Sequence, residues 1–234
     1  GQGTTVATLR EQGYGDTAIR EIAGVAVVST LLNRLATMLA APLSEDTEAL
    51  TGRWYFEGLR PVLRLLLGGW QRTRLPLAPP LQNDDVDGPF APWTGRLVGT
   101  NVGHHVHEIV NQWIRDESAL PLRTKLLVLA VVARGLHCGA LETRAADLLV
   151  GRCEMTRRDV ESAVSHLRGT ALDDRNVALL RLARDSIRYE AGRIQSTVRE
   201  CTQSLSRAET IDAVAALGLS NALARLRVLA PLDD

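Results

Sequence analysis

LLVLAVVARGLHCGALETRAADLL, residues 126–149, decides the fold of this chain. Its first half is apolar on every side, the composition of a helix buried all round rather than of one lying on a surface. A turn built on Gly135, Leu136, His137 and Cys138 follows, and a second helix opens immediately beyond it over Ala140 to Val150. Cys138 therefore stands just before a helix N-terminus, beside His137. There the partial positive charge of the free amides favours a thiolate over a thiol.

Outward from that turn the same helical period recurs, and no run of strand alternation appears, which predicts an all-α protein. Upstream, Leu97 to Arg115 and Leu122 to Leu136 read as helices. Downstream, Thr156 with Asp159 forms a capping-box-like start for a helix through Leu167, and Ser206 with Glu209 repeats the device for a helix through Leu229. The last helix carries a stripe through Ala213, Ala216, Leu217, Leu223 and Leu226, and Asp173 to Tyr189 carries Leu179, Leu180, Leu182 and Ala183 with arginines on its other face. Near the N-terminus, Ile19 to Leu39 shows Ile22, Val25, Ala26, Leu32 and Leu35 at three-to-four spacing, with Asp16 or Thr17 to cap it. Leu50 to Trp70 is a further helical stretch that Pro61 kinks or splits.

Residues 73–93, TRLPLAPPLQNDDVDGPFAPW, hold five of the nine prolines and so read as a linker or cover loop. They separate N-terminal helices over residues 1–72 from a helical domain over 94–234. An internal echo crosses this boundary: residues 22–35 resemble residues 213–226, with Ser29, Leu32, Arg34 and Leu35 matching Ser220, Leu223, Arg225 and Leu226. Two readings account for it, a partial tandem repeat in which residues 1–42 are the tail of a first copy, or the shared composition of two Ala/Leu-rich helices.

Composition narrows the function classes. Lys plus Arg and Asp plus Glu number 27 each among 234 residues, so no net field gathers nucleic acid or an anionic bilayer. Three cysteines, an odd number, fit a reducing cytoplasm better than a disulfide scaffold. No secretory signal opens the chain, and Arg or Gly breaks the longest apolar runs, so neither secretion nor membrane spanning is expected.

Gly103-His104-His105-Val106-His107-Glu108 gathers three of the five histidines. On a helix His104 and His107 share a face, with Glu108 a turn from His104, a grouping suited to proton transfer. The order H-E-x-x-H is absent, so no metal is expected, and the bland alternative is a set of surface or capping histidines. Trp54, Tyr55, Phe56, Trp70, Trp93 and Trp113 fit a core or an oligomer contact, while Trp93, ending the proline loop, is placed to cover a pocket. Arg181, Arg184, Arg188 and Arg193 read as solvated helix surface.

The segments LRTKLLVLAVVARGLHCGALETRAADLLVG, TRRDVESAVSHLRG, DDRNVALLRLARDS and SRAETIDAVAALGLSNALARL, in this order, resemble the carboxymuconolactone decarboxylase and alkylhydroperoxidase D-like superfamily over roughly residues 95–232, with a partial second match at 15–42. The resemblance implies an all-helical domain that forms homo-oligomers and, in its peroxidases, two cysteines two residues apart, a following histidine and an upstream glutamate. Cys138 falls on the first cysteine. Leu141 holds the second position, Ala145 beside Arg144 the histidine, and Lys125 or Leu126 the acid. A lone thiol cannot resolve its own sulfenic acid as an intrachain disulfide, so the standard two-cysteine peroxidase is not expected.

Two functions follow. One is an enzyme that needs no cofactor and acts on a small organic molecule, either by a redox step with an external thiol or by decarboxylation, isomerisation or elimination, with Cys138, His137, His104 and His107 catalytic and Arg144 and Trp93 binding substrate, Arg144 as a bidentate carboxylate clamp. The other is a catalytically silent helical scaffold that oligomerises or binds a partner, with Cys138 as core filling. Sulfur, imidazole and guanidinium sharing one cavity would mark the first, and apolar packing in that space the second.

Overall fold

The computed structural model describes residues 2–39, 79–115, 118–169, 172–188 and 190–229. Among them all regular structure is helical. The stretch Leu50 to Trp70, with Trp54, Tyr55, Phe56 and Trp70, lies outside the described residues.

The centre is α5, Leu122–Gly135, in which every residue from Thr124 to Ala133 is buried. Around it pack α6 (Gly139–Cys153), α7 (Arg157–His166), α8 (Asp174–Asp185) and α10 (Arg207–Leu229). Each Leu, Val or Ile side chain shut away there contributes roughly 1.5–3 kcal/mol, so the apolar run Leu126–Ala133 is the axis of assembly. Lys125, the chain's only lysine, sits in the first turn of this apolar helix at 1% exposure. Its Nζ donates to Trp113 O at 3.1 Å, a carbonyl in the last turn of α4 (Asn101–Arg115), where no intrahelical donor reaches and a cation is favoured.

Local signals place the helix starts. Thr156 Oγ1 accepts from Asp159 N at 3.1 Å, and Asp173 accepts from Asn176 N at 2.7 Å. Ser206 and Glu209 bond each other reciprocally: Glu209 N donates to Ser206 Oγ at 3.2 Å and Ser206 N to Glu209 Oε2 at 2.8 Å. Helix α8 ends at Asp185, short of the expected Tyr189. At its end Ser186 donates from backbone and side chain to the carbonyls of Leu182 and Ala183. Two helices that the apolar pattern does not announce are α1 (Gln2–Glu11) and α9 (Ala191–Thr202).

On α2 (Asp16–Leu39) the buried stripe differs from the expected one. Ile19, Ala23, Val27, Arg34 and Met38 face inward, while Ile22 and Val25 are exposed and Leu32 stands 57% exposed. Glycines set this rotation. A Cβ on Gly24 would lie 2.3 Å from Val102 Cγ1 of α4, and one on Gly218 of α10 would lie 2.7 Å from Leu31 Cδ1, so both neighbours press close to α2 on that side. The residues Asp16–Met38 are long and apolar enough to cross a membrane, yet the helix packs on α4, α9 and α10 and buries Arg34, which bonds Ser186 O and Ile187 O. The echoing positions sit in unlike surroundings: Ser29 is exposed and Ser220 buried, and Leu223 is buried where Leu32 is exposed.

Candidate functional site

The cysteine turn closes α5 by two backbone bonds, His137 N to Arg134 O at 3.0 Å and Cys138 N to Ala133 O at 2.8 Å. To make that reversal His137 adopts φ 55°, a left-handed conformation uncommon outside glycine. Its side chain is left exposed, whereas Cys138, the N-cap of α6, lies 5% exposed within the apolar core. Beside the turn, Arg134 is committed to carboxylates, donating to Glu142 Oε1 at 2.8 Å and to both oxygens of Glu161 at 2.9 and 2.7 Å. Those bonds raise the guanidinium's pKa and hold the Glu161 carboxyl down to about 2. The cluster staples α5, α6 and α7 together and leaves the sulfur without a charged partner from Arg134.

Arg144 and Trp93 serve the proline loop instead. Arg144 Nε donates to Pro89 O at 2.8 Å, fixing the loop against α6. Trp93, in the one-turn helix α3 (Ala91–Thr94), is buried in the core beside Phe90, with ring centroids 6.0 Å apart.

Polar groups converge around His107 on α4, which is 8% exposed. Nδ1 lies 2.9 Å from Thr94 Oγ1, and Nε2 lies 2.9 Å from Asn111 Nδ2 and 3.2 Å from Asp87 Oδ1. Asn111 Nδ2 also donates to Asp87 Oδ1 at 2.8 Å, and Arg115 donates to Asp87 Oδ2 at 3.2 Å. An amide nitrogen only donates, so in the neutral ring Nε2 accepts from Asn111 and the proton resides on Nδ1, directed at Thr94. A second proton on the ring would turn Nε2 into a donor toward Asp87 and expel the Asn111 contact.

Gly88 makes this arrangement possible. Its φ is +84°, and a Cβ there would stand 2.4 Å from Asn111 Oδ1. Sequence reading missed Asp87, Gly88, Thr94 and Asn111. The available signals were the Asp-Gly turn pair and the placement of Asn111 one helical turn beyond His107.

Outside this knot lies a cleft of about 840 Å³ between residues 79–87 and α4, lined by Asp85, Asp87, His104, His107, Glu108 and Arg115 among others. The structure thus brings His104 and His107 onto one cleft. Cys138, His137, Arg144 and Trp93 are not among its lining residues. No group of three His, Cys, Asp or Glu side chains able to hold a metal ion occurs among the described residues. Comparison with models of known protein families, with curated proteins and with solved structures finds no match to this chain.

Proposed function

We propose that the protein binds a small polar organic molecule in the cleft between residues 79–87 and α4, and that the chemistry it performs is proton transfer through the His107–Asp87 pair rather than thiol redox. One observation carries this reading: a buried histidine, 8% exposed, contacts a carboxylate at the cleft wall, with Thr94 and Asn111 fixing its orientation. Cleft size fits, since small-molecule sites enclose roughly 300–1,000 Å³. His104 and Glu108 stand beside it as further proton-handling or hydrogen-bonding groups. The resemblance of residues 95–232 to the carboxymuconolactone decarboxylase and alkylhydroperoxidase D-like superfamily supports an enzyme in homo-oligomeric form, with Leu141, Ala145 and Lys125 or Leu126 standing where its peroxidases need cysteine, histidine and glutamate. Unlike surroundings of the echoing positions favour shared composition over a tandem repeat.

The silent-scaffold reading has its own support, because Cys138 is enclosed by the core and both nitrogens of His107 already have protein partners. A thermal-shift screen of small polar acids, amines and alcohols separates the two. Compounds that stabilise wild type and Cys138→Ser alike, but not His104→Trp, in which the cleft is filled, support the cleft site. Silence across the screen, or stabilisation that survives in His104→Trp and vanishes in Cys138→Ser, overturns it.

A further inference from the structure

Away from the histidine cleft, two adjoining concavities of about 360 and 520 Å³ share Arg184, Asp185 and Arg193 in their walls. Arg168, from the turn after α7, and Arg181, on the outer face of α8, line the larger. Arg188, in the turn between α8 and α9, lines the smaller. Five guanidinium groups from four successive segments therefore meet one carboxylate. That carboxylate is already engaged, since Asp185 accepts from Arg193 at 2.8 Å and from Thr197 at 3.0 Å. Arg184 is aimed but not neutralised: its Nη2 donates to Ser165 O at 3.1 Å, a carbonyl in the last turn of α7. Arg168, Arg181 and Arg188 are exposed, and their guanidinium groups have no hydrogen-bond or ion-pair partner among the described residues.

In a chain whose charges balance overall, the lining of these two concavities holds a local excess of four cations. Like charges held together in a concave wall repel, and the concavity concentrates counter-anions. We propose that the groove is a binding site for a small polyanion carrying at least two phosphoryl or carboxylate groups, one held by Arg168 and Arg181 and another by Arg188 and Arg184 through forked, charge-assisted bonds. Its shape favours a compact ligand over a nucleic-acid strand. The turns at Leu167–Gly169 and Ile187–Arg188 bound it, and its described lining holds no Trp, Tyr or Phe on which bases could stack. This site is independent of the reading given for the His107 cleft.

Isothermal titration of the full chain with inorganic tripolyphosphate is the test, with inorganic phosphate, a tricarboxylate, an oligoglutamate and a short single-stranded oligonucleotide as comparison probes. Tripolyphosphate is expected to bind more tightly than phosphate, with affinity falling as salt rises. The double variant Arg181→Ala/Arg188→Ala should lose at least about tenfold in affinity for the loss of two charge-assisted contacts. Arg157→Ala, which removes a cation paired to Asp147 elsewhere, should bind as wild type does. Circular dichroism of each variant establishes that the fold is retained. The proposal is overturned by absence of binding at millimolar tripolyphosphate, by equal losses in the Arg157 control and the double variant, or by oligonucleotide or oligoglutamate binding more tightly than tripolyphosphate.

Discussion

Replacing Gly88 by alanine tests the knot around His107 most directly. Gly88 has φ +84°, and the added Cβ would fall 2.4 Å from Asn111 Oδ1, closer than carbon and oxygen approach without bonding. Holding a non-glycine residue in left-handed conformation costs about 1–2 kcal/mol. Pushing Asn111 aside breaks its 2.8 Å bond to Asp87, worth about 1–2 kcal/mol once the exposure of that carboxylate is discounted. The sum is about 2–4 kcal/mol, or a fall in Tm of roughly 5–15 °C for a chain of this length. Urea denaturation of Gly88→Ala, Asn111→Ala and the double variant measures it. In the Asn111→Ala background the clash is gone, so Gly88→Ala should retain only its backbone cost of about 1–2 kcal/mol. A cost that is the same in both backgrounds, or one below about 0.5 kcal/mol in wild type, would refute the reasoning.

Three further expectations are open to measurement. Gly103→Ala should destabilise by more than about 3 kcal/mol because its Cβ would meet the backbone oxygen of Leu97 at 2.4 Å, whereas Gly135→Ala, whose Cβ would meet only side-chain atoms of Ile187, with the Cδ1 end nearest, should cost less, about 1–2 kcal/mol; chemical denaturation of the pair reads the difference. Burial pushes the Cys201 thiol up to about 11 from 9.0, so its contribution is complete below pH 9 and is lost as pH rises toward 11, where the unfolded chain ionises first. Across that window the stability advantage of wild type over Cys201→Ala should shrink by about 2–3 kcal/mol, and an advantage that stays flat with pH would contradict the assignment. Lys125, the single lysine, should escape acetylation in the native protein and react on unfolding in urea, as peptide mass spectrometry would report; rapid native labelling would place it outside the core.

Much of the fold was readable because it is written in short-range signals. The run Leu126–Ala133 is apolar at every angle around a helix, so its burial followed from composition alone. Thr156 with Asp159, Asp173 with Asn176 and Ser206 with Glu209 satisfy their helix N-termini within three residues, so the starts of α7, α8 and α10 needed no tertiary context. Helix α9 escaped because its inward positions Ile194, Thr197, Val198 and Cys201 include only two strongly apolar side chains among polar neighbours.

The rotation of α2 and the composition of the site were decided elsewhere. Around α2 apolar residues occupy more than one face, so its sequence admits several buried stripes, and contact of Gly24 with α4 and of Gly218 with α2 selects the one through Ala23, Val27 and Met38. His104 and His107 share a cleft because helical spacing put them on one face, a relation the sequence carries by itself. Asn111 stands one helical turn from His107 on the same helix, but Asp87 and Thr94 join them only because the proline loop folds back over α4, where Gly88 permits the close approach to Asn111. Cys138 and Arg144 lie six residues apart in the chain, but the turn at His137 sends the sulfur into the core while Arg144 reaches the loop at Pro89. Periodicity and capping act over a few residues and are fixed by the order of side chains. Which helix faces meet, and which loop crosses them, depends on packing between segments far apart in the chain, and that information exists only in the folded molecule.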